Sequence, residues 1–585
     1  MKQHTKRLFA LLLSACLFLA GCTPKERDVT DAVTDPEYKA EENTEMKQQN
    51  TKIVSALGLT VPETLYLVID DGNCPDGMFA ARVLQGVINR KETRVYLASS
   101  SFFVEGTDIE AVKQDILREY GKVKLRDLPV DMGADSQYRA FWSLFRAYED
   151  EIKEIYIYST EEHLSDTANI AAMLAARNQG VAVTESLYSQ MQQNGVDLPV
   201  TYITELCGFG DADNSITVNG WIADHMAEGA SEKAVFCLKP TGRGGPGDLP
   251  WCYDLAVAMN ALIYHVDPTN PQSLDVQKKI LSQFPDNIPV MGWPGLNMEN
   301  SYVENIAKLG KYVVCIDWGY TNGSVWGAFP SFRADAPVSP VSETFAVKPG
   351  KVYVAFMLSD GDAWHYCSKE LLSSWNDARR GNYPLAWTIP SLFADYNPLT
   401  LRYLYDTATE SDAFLQGPSG VGYMYPCMYP QKAYVEYLTQ TKAALAQAGL
   451  TMVNYWDLSD NNAMIGRDPT LQNQYAEAVG VDALLLGHTS QTGKWRQKDN
   501  CIILEELGGP DGTGALTAEH IVDALLTQSR GMKDDEVRFF VVNVEVWGYR
   551  LDAVEKAVEL LSDDAYEGKF QFIGLPDLIA AMRNH

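Results

Sequence analysis

From about residue 60 to the C-terminus, short apolar runs rich in Val, Ile and Leu alternate with amphipathic helical stretches, and this rhythm limits the fold more than any single motif does. Residues 65–69 read as a strand. Residues 77–89 read as a helix with Phe79, Val83, Leu84 and Val87 on one face, and residues 94–98 as the next strand, which makes a β-α-β unit. Further strands are expected at 154–158, 234–238, 261–266, 288–291 and 312–316, with helical stretches such as 167–177 between them. A stretch at 330–349 holds four prolines and no helical period, and it divides the chain into halves. Beyond it, strands are expected at 352–358, 385–389, 421–425, 452–456, 483–486, 502–504, 538–546 and 571–573. Helices are expected at 364–380, 399–411, 431–448, 471–479, 518–528 and 551–561. Seven or eight strands alternating with helices over about 240 residues have the size and rhythm of a (β/α) barrel. A doubly wound open sheet has the same local signature. The fold class is therefore α/β, with N-terminal α/β subdomains followed by a C-terminal (β/α) barrel-like domain.

The first residues bear on location. Lys2, Lys6 and Arg7 precede an apolar run of thirteen residues, Leu8 to Ala20, which ends in Leu19-Ala20-Gly21-Cys22. Such a run is too short for the ~20 residues that cross a bilayer and reads as a cleaved export signal. Its ending resembles a bacterial lipobox, which implies lipidation of Cys22 and stable anchoring at about 0.8 kcal/mol per buried CH₂. Residues 23–55 are polar and charged, a solvated tether. The expected division is then 1–22 signal, 23–55 tether, 56–335 an N-terminal region of two or three subdomains, and 336–585 the barrel-like domain. The net charge of −29 argues against nucleic acid as a partner, and the membrane is expected to be met only through the N-terminal lipid. The eight cysteines after Cys22 are scattered, without a C-x-x-C pair, and are expected to be buried thiols.

In a fold of this class the C-terminal ends of the strands carry the chemistry. There the sequence places Asp360 and Asp362 after 352–358, Asp457 after 452–456, His488 after 483–486, Glu505 after 502–504 and Glu545 after 539–544. Aromatic residues are interleaved with them: Trp364, Trp387, Tyr423, Tyr425, Trp456, Trp495 and Trp547. Flat rings beside carboxyl groups suit a sugar, whose C–H faces pack on the ring while acids handle its hydroxyls and glycosidic oxygen. Glycoside hydrolysis needs two carboxyl groups flanking the bond, and the candidates are Asp360, Asp362, Asp457 and Glu545. Tyr423, Tyr425, Trp364, Trp387, Trp456, His488, Glu505 and Trp547 are the candidate substrate contacts, and the expected partner is carbohydrate.

Gly420-Val421-Gly422-Tyr423-Met424-Tyr425-Pro426 reads G-x-G-Y-x-Y-P, and here the chain resembles the GxGYxYP family of glycoside hydrolases. Leu84-Gln85-Gly86-Val87-Ile88-Asn89-Arg90 with Arg94-Val95-Tyr96-Leu97 resembles that family's N-terminal domain, and Ser359-Asp360-Gly361-Asp362 its S-D-G-D-N stretch. Ala363 stands where the family often has Asn. The resemblance implies N-terminal subdomains and a C-terminal barrel-like domain. It fixes fold and class rather than reaction.

No cofactor is expected. One competing reading is a metal-dependent hydrolase of the polysaccharide deacetylase kind, with Asp360, Asp362 and His365 sharing a divalent ion, although no H-x-x-x-H or H-E-x-x-H pair accompanies them. The other is a non-catalytic glycan-binding lipoprotein. The glycine-rich stretch 241–247 lacks the G-K-[ST] ending of a phosphate loop and reads as a plain loop.

Overall fold

The computed structural model describes residues 54–70, 74–99, 103–130, 136–240, 250–293, 298–316, 319–457, 468–487, 492–509, 514–547, 550–566 and 568–585, all within one folded unit, Lys52–His585. Cys22, the tether up to residue 53, the 241–247 loop and His488 lie outside the described residues.

The N-terminal half holds three small, wholly parallel sheets. In the first, Thr64–Asp70 lies between Val95–Ser99 and Lys124–Asp127. In the second, Ile155–Ile157 lies between Val181–Val183 and Val200–Tyr202. The third runs Leu262–Tyr264, Val235–Cys237, Pro289–Met291, Tyr312–Val314. Most of these strands are buried along their whole length, as parallel strands covered by helices on both faces must be. The helix Pro75–Lys91 starts on a proline, which has no N–H to leave unpaired there. Its Gly86 admits the helix Tyr253–Ala258 so closely that a Cβ would lie 2.6 Å from the Asp254 carbonyl. The stretch 84–90 is a polar clasp. Asn89 accepts from the backbone N–H of Arg94 and Val95 and donates to Ser324, while Gln85 donates to Asn322, which in turn pairs with both backbone groups of Leu97. The clasp fastens the first sheet to the third unit.

The C-terminal half is built on one large sheet, and we number seven of its eight parallel strands β1 (Val352–Leu358), β2 (Leu385–Ile389), β3 (Asp412–Gln416), β4 (Met452–Tyr455), β5 (Ala483–Leu486), β6 (Cys501–Glu505) and β7 (Arg538–Val544). Their order is β6-β5-β4-β3-β2-β1-β7. Trp495–Lys498 pairs antiparallel on β6, and Phe570–Phe572 pairs with the start of β1. The sheet curls until its two ends meet: Leu507, just past β6, donates to the Val541 carbonyl (2.8 Å) and accepts from the Asn543 N–H (2.7 Å) of β7. This is a barrel-like curl rather than an open doubly wound sheet. Its inner face is filled by Tyr353, Ala355, Met357, Ala386, Leu415, Met452, Leu485, Leu504, Phe539 and Val541, against which the last helix, Leu575–Arg583, packs. The outer face carries helices and the N-terminal half.

Two expectations differ from the structure. Residues 421–425 are not a strand; the strand is β3, five residues long, which begins at Asp412 with its carboxylate bound by Arg380 (2.7 Å) and by the Trp387 indole (2.8 Å). The helix expected at 364–380 is two short ones, Trp364–Cys367 and Glu370–Trp375. All eight described cysteines are free thiols, five of them buried. Among the described residues no helix is long and apolar enough to cross a membrane.

Candidate functional site

β1 is buried along its whole length and ends at Leu358, after which the chain folds flat over the tops of its neighbours. Asp360 takes a left-handed conformation (φ 63°), and the Gly361 N–H donates to Thr388 Oγ1 (2.9 Å), which itself donates to the Leu358 carbonyl (2.7 Å). Only glycine fits at 361, where a Cβ would collide with the Thr388 backbone, and at Gly417 a Cβ would lie 2.5 Å from the Asp362 amide nitrogen. The loop then crosses to the third N-terminal unit, where the Trp364 N–H donates to the Cys315 carbonyl (2.9 Å). Asp360 and Asp362 therefore sit, partly exposed, at the junction of the barrel mouth and that unit.

A third carboxyl reaches the junction from the other side. Glu299 opens the helix Glu299–Lys308 and accepts a 2.7 Å hydrogen bond from the Tyr423 hydroxyl. The Tyr425 hydroxyl lies 3.4 Å from that of Tyr423 and donates to Asn300 Oδ1 (3.1 Å). All three acids titrate above the ordinary carboxylate range. For Glu299 the cause is burial, opposed by the Tyr423 hydrogen bond and reinforced by the charge of Asp360. For Asp360 it is burial, opposed by hydrogen bonds from Trp547 and Ser359. Asp362 is held highest, by burial and then by the negative charges of Asp360 and Glu299.

The G-x-G-Y-x-Y-P segment makes this junction. Tyr423 exchanges both of its backbone hydrogen bonds with Val313 of the third sheet, each at 2.8 Å. Gly422 permits the approach, since a Cβ would overlap the Tyr312 ring. The Gly422 carbonyl is held by the Tyr437 hydroxyl (2.7 Å), the Ser419 carbonyl by that of Tyr475 (2.8 Å), and the Val421 N–H by Thr441 (3.1 Å). Trp456 packs edge-on against Tyr423, with ring centroids 5.8 Å apart. Asp457 follows it, buried; Oδ1 accepts from the Cys427 N–H (3.2 Å), and Oδ2 has no partner among the described residues. Burial pushes its carboxyl up to about 6. Tyr425 feels the charge of both Glu299 and Asp457, so the acids line one strip along the two tyrosines.

Trp547, 46% exposed, donates its indole N–H to Asp360 Oδ2 and stacks on His365 (5.3 Å). His365 is buried, and burial pulls its imidazole down to about 3, so it is neutral. The Glu545 carboxylate accepts from the N–H groups of Val546 (3.0 Å) and Trp547 (3.2 Å), shaping the turn that presents Trp547. Trp364 and Trp387 are core residues rather than sugar platforms. The first is enclosed by Tyr320, Phe393 and Tyr396, the second packs on Trp375, and both are at most 1% exposed. Glu505 turns away from the barrel interior and binds Thr492 (2.5 Å). Among the described residues no three His, Cys, Asp or Glu side chains are grouped as a metal ion would need.

Sequence reasoning missed Glu299, which opens a helix beyond the strand Pro289–Met291, and at the end of β6 it took Glu505 as the contact in place of its neighbour Glu506. Alternation along β6 could have found the latter: Ile502 and Leu504 face inward, so Glu506 does too.

Residues 350–575 match the family model described as "GxGYxYP putative glycoside hydrolase C-terminal domain", and residues 232–328 match the "GxGYxYP third domain". No curated protein matches the chain. A solved structure of a "putative hydrolase" from Bacteroides thetaiotaomicron shares the fold, with a TM-score of 0.72 and 17% identity, over 89% of this chain and 94% of that one. A polysaccharide deacetylase structure from Mycobacterium smegmatis aligns at a TM-score of 0.26 and 15% identity, over 43% of this chain and 95% of that one. With the family's C-terminal domain and third domain both matched and the motif itself joining them, the chain is a member of the GxGYxYP family.

Proposed function

We propose that the chain cleaves glycosidic bonds of poly- or oligosaccharide by a two-carboxylate mechanism at the junction of the barrel mouth and the third N-terminal unit. The observation that carries this reading is the meeting of Glu299, from the helix Glu299–Lys308, with Asp360 and Asp362, from the loop after β1, each with its titration raised and each partly exposed. Asp362, held highest, is the acid that gives its proton to the leaving glycosidic oxygen as the C–O bond breaks. Asp360 is the ionised partner, because hydrogen bonds from Trp547 and Ser359 favour its charged form; it attacks the anomeric carbon or takes a proton from the attacking water. Exposed Trp547 offers a flat face to the sugar ring, whereas Tyr423 and Tyr425, at most 1% exposed, act from beneath, their hydroxyls holding Glu299 and Asn300 in place rather than meeting the sugar as the sequence suggested.

The test is release of reducing ends from a panel of plant, host and bacterial glycans. Wild-type protein should cleave at least one of them, and Asp362→Asn and Asp360→Asn should each lower kcat by on the order of 10³-fold while melting normally. Binding without cleavage by any form would favour a glycan-binding protein, and loss of cleavage on chelation would favour the metal-dependent deacetylase-like reading.

We further infer that the protein is exported and anchored at the cell surface through a lipid on Cys22, on the strength of the Leu19-Ala20-Gly21-Cys22 ending. Cys22→Ser should move it from the membrane fraction to the soluble exported fraction. An unchanged distribution would remove the anchor.

A further inference from the structure

The apolar layers inside the barrel are capped, at the C-terminal ends of the strands, by a polar group that the mechanism above does not use. Glu506 turns inward past the end of β6 and is 4% exposed. It accepts one hydrogen bond on each carboxyl oxygen, from Asn454 Nδ2 of β4 and from Asn543 Nδ2 of β7 (2.9 Å). Asn454 Nδ2 also donates to the Leu485 carbonyl (3.2 Å). Asn454 thereby spends both of its N–H donors and Asn543 one, and the carbonyl oxygens of both, buried with residues 0% and 5% exposed, have no partner among the described residues. Gly514 stands over one of them: a Cβ there would lie only 3.3 Å from Asn543 Oδ1. A buried amide oxygen left unbonded costs on the order of 1–3 kcal/mol. Two in one layer, on strands that converge where this fold class binds its substrates, mark a place built to be completed from outside.

We propose that Glu506, Asn454 and Asn543 form the inner end of the substrate site and take a sugar ring by two adjacent free hydroxyl groups. The choice of a sugar rests on the proposed glycoside chemistry; the need for two donors rests on the triad alone. Each hydroxyl gives its hydrogen to one asparagine carbonyl, and the oxygen of one of the two can accept the single O–H of a protonated Glu506. Burial pushes the Glu506 carboxyl up to about 8, against the pull of the two amides, so at neutral pH the triad is uncharged and suits hydroxyls better than a cation. The layer pairs with Met357, three residues below Asp360 on β1, and lies two below Glu545 on β7, so a ring bound here has its remaining edge toward the acids. A sugar that is methylated, acetylated or sulfated at either position, or deoxygenated there, is rejected.

The experiment is titration calorimetry of the full chain with the methyl glycosides of glucose, galactose, mannose and xylose and with their monodeoxy analogues, alongside crystals of the wild type soaked in the same glycosides. We expect one glycoside to bind, its deoxy analogue at one of two adjacent positions to bind on the order of 10- to 100-fold more weakly, and Glu506→Gln and Asn543→Ala to weaken it similarly. The soaked crystal should place hydroxyls on both asparagine carbonyls. Unchanged affinity in both folded variants, or crystals that hold only water against the two carbonyls in every soak, would overturn the proposal. The soak needs no variant to fold. Triad-dependent binding without hydrolysis would sink the catalytic reading alone, and hydrolysis sensitive to Asp362→Asn but not to Glu506→Gln would sink the triad alone.

Discussion

Asp457 follows β4 with one carboxyl oxygen on the Cys427 amide and the other enclosed without a partner among the described residues, and the loss of water lifts its titration from 3.8 to about 6. A carboxyl whose folded value is raised favours the folded state only while protonated. That contribution is complete below the usual value near 4 and is lost as pH rises through about 6. Melting temperatures followed from pH 4 to pH 7 should therefore fall in the wild type by the equivalent of about 2–3 kcal/mol more than in Asp457→Asn. Parallel curves for the two proteins would mean that the acid is solvated. At this scale the sequence was legible for the positions of acids and silent on their directions. Asp360, Asp362 and Asp457 can be picked out because apolar runs stop at them, yet Glu505 and Glu506 are neighbours in one run and only the pleat decides which faces the barrel interior.

The loop from Gly420 to Pro426 works as a stitch between two sheets, one polypeptide segment satisfying backbone groups of Val313 and presenting two hydroxyls to Glu299 and Asn300. Its letters suggested a strand, since Val, Tyr and Met alternate there, but the two backbone hydrogen bonds that Tyr423 makes go to the third N-terminal unit rather than to β4. Periodicity cannot distinguish a segment that pairs within its own sheet from one that reaches another. Gly422→Ala forces a methyl into the Tyr312 ring, and overpacking of this kind typically costs about 1–3 kcal/mol. We expect a lowered melting temperature together with loss of cleavage, because the same displacement carries Tyr423 away from Glu299. Tyr423→Phe, which keeps the stitch and removes only the hydroxyl, should melt close to the wild type, and a large fall there would place the stability in the hydroxyl instead. The short strand β3 was missed for a related reason. Its five residues open with an aspartate whose charge is offset by Arg380 and the Trp387 indole, partners far away in sequence.

For the whole molecule, the barrel-like half and the N-terminal half share one core, in which Tyr312, Tyr320 and Trp326 pack with Trp364, Tyr396 and Tyr437. The chain from residue 336 to 585 expressed alone would expose that surface and leave the stitch without its strand. It should be recovered aggregated or with a non-cooperative melt, whereas a sharp, separate transition would make the barrel an independent domain. The junction of the acids follows the same logic, since Glu299 comes from one half and Asp360 and Asp362 from the other. By itself the sequence determined the alternation of strands and helices, the α/β class and the family motif, because these depend on local periodicity and on glycines that no other residue replaces, while the curl of the second half rests on the meeting of Leu507 with β7. Only the tertiary structure decided that Trp364 and Trp387 are core, that Glu299 joins the acids, and that Glu506 is shared by two asparagines. Those outcomes depend on which buried faces meet across hundreds of residues of chain, and burial, not residue type, sets how each carboxyl titrates.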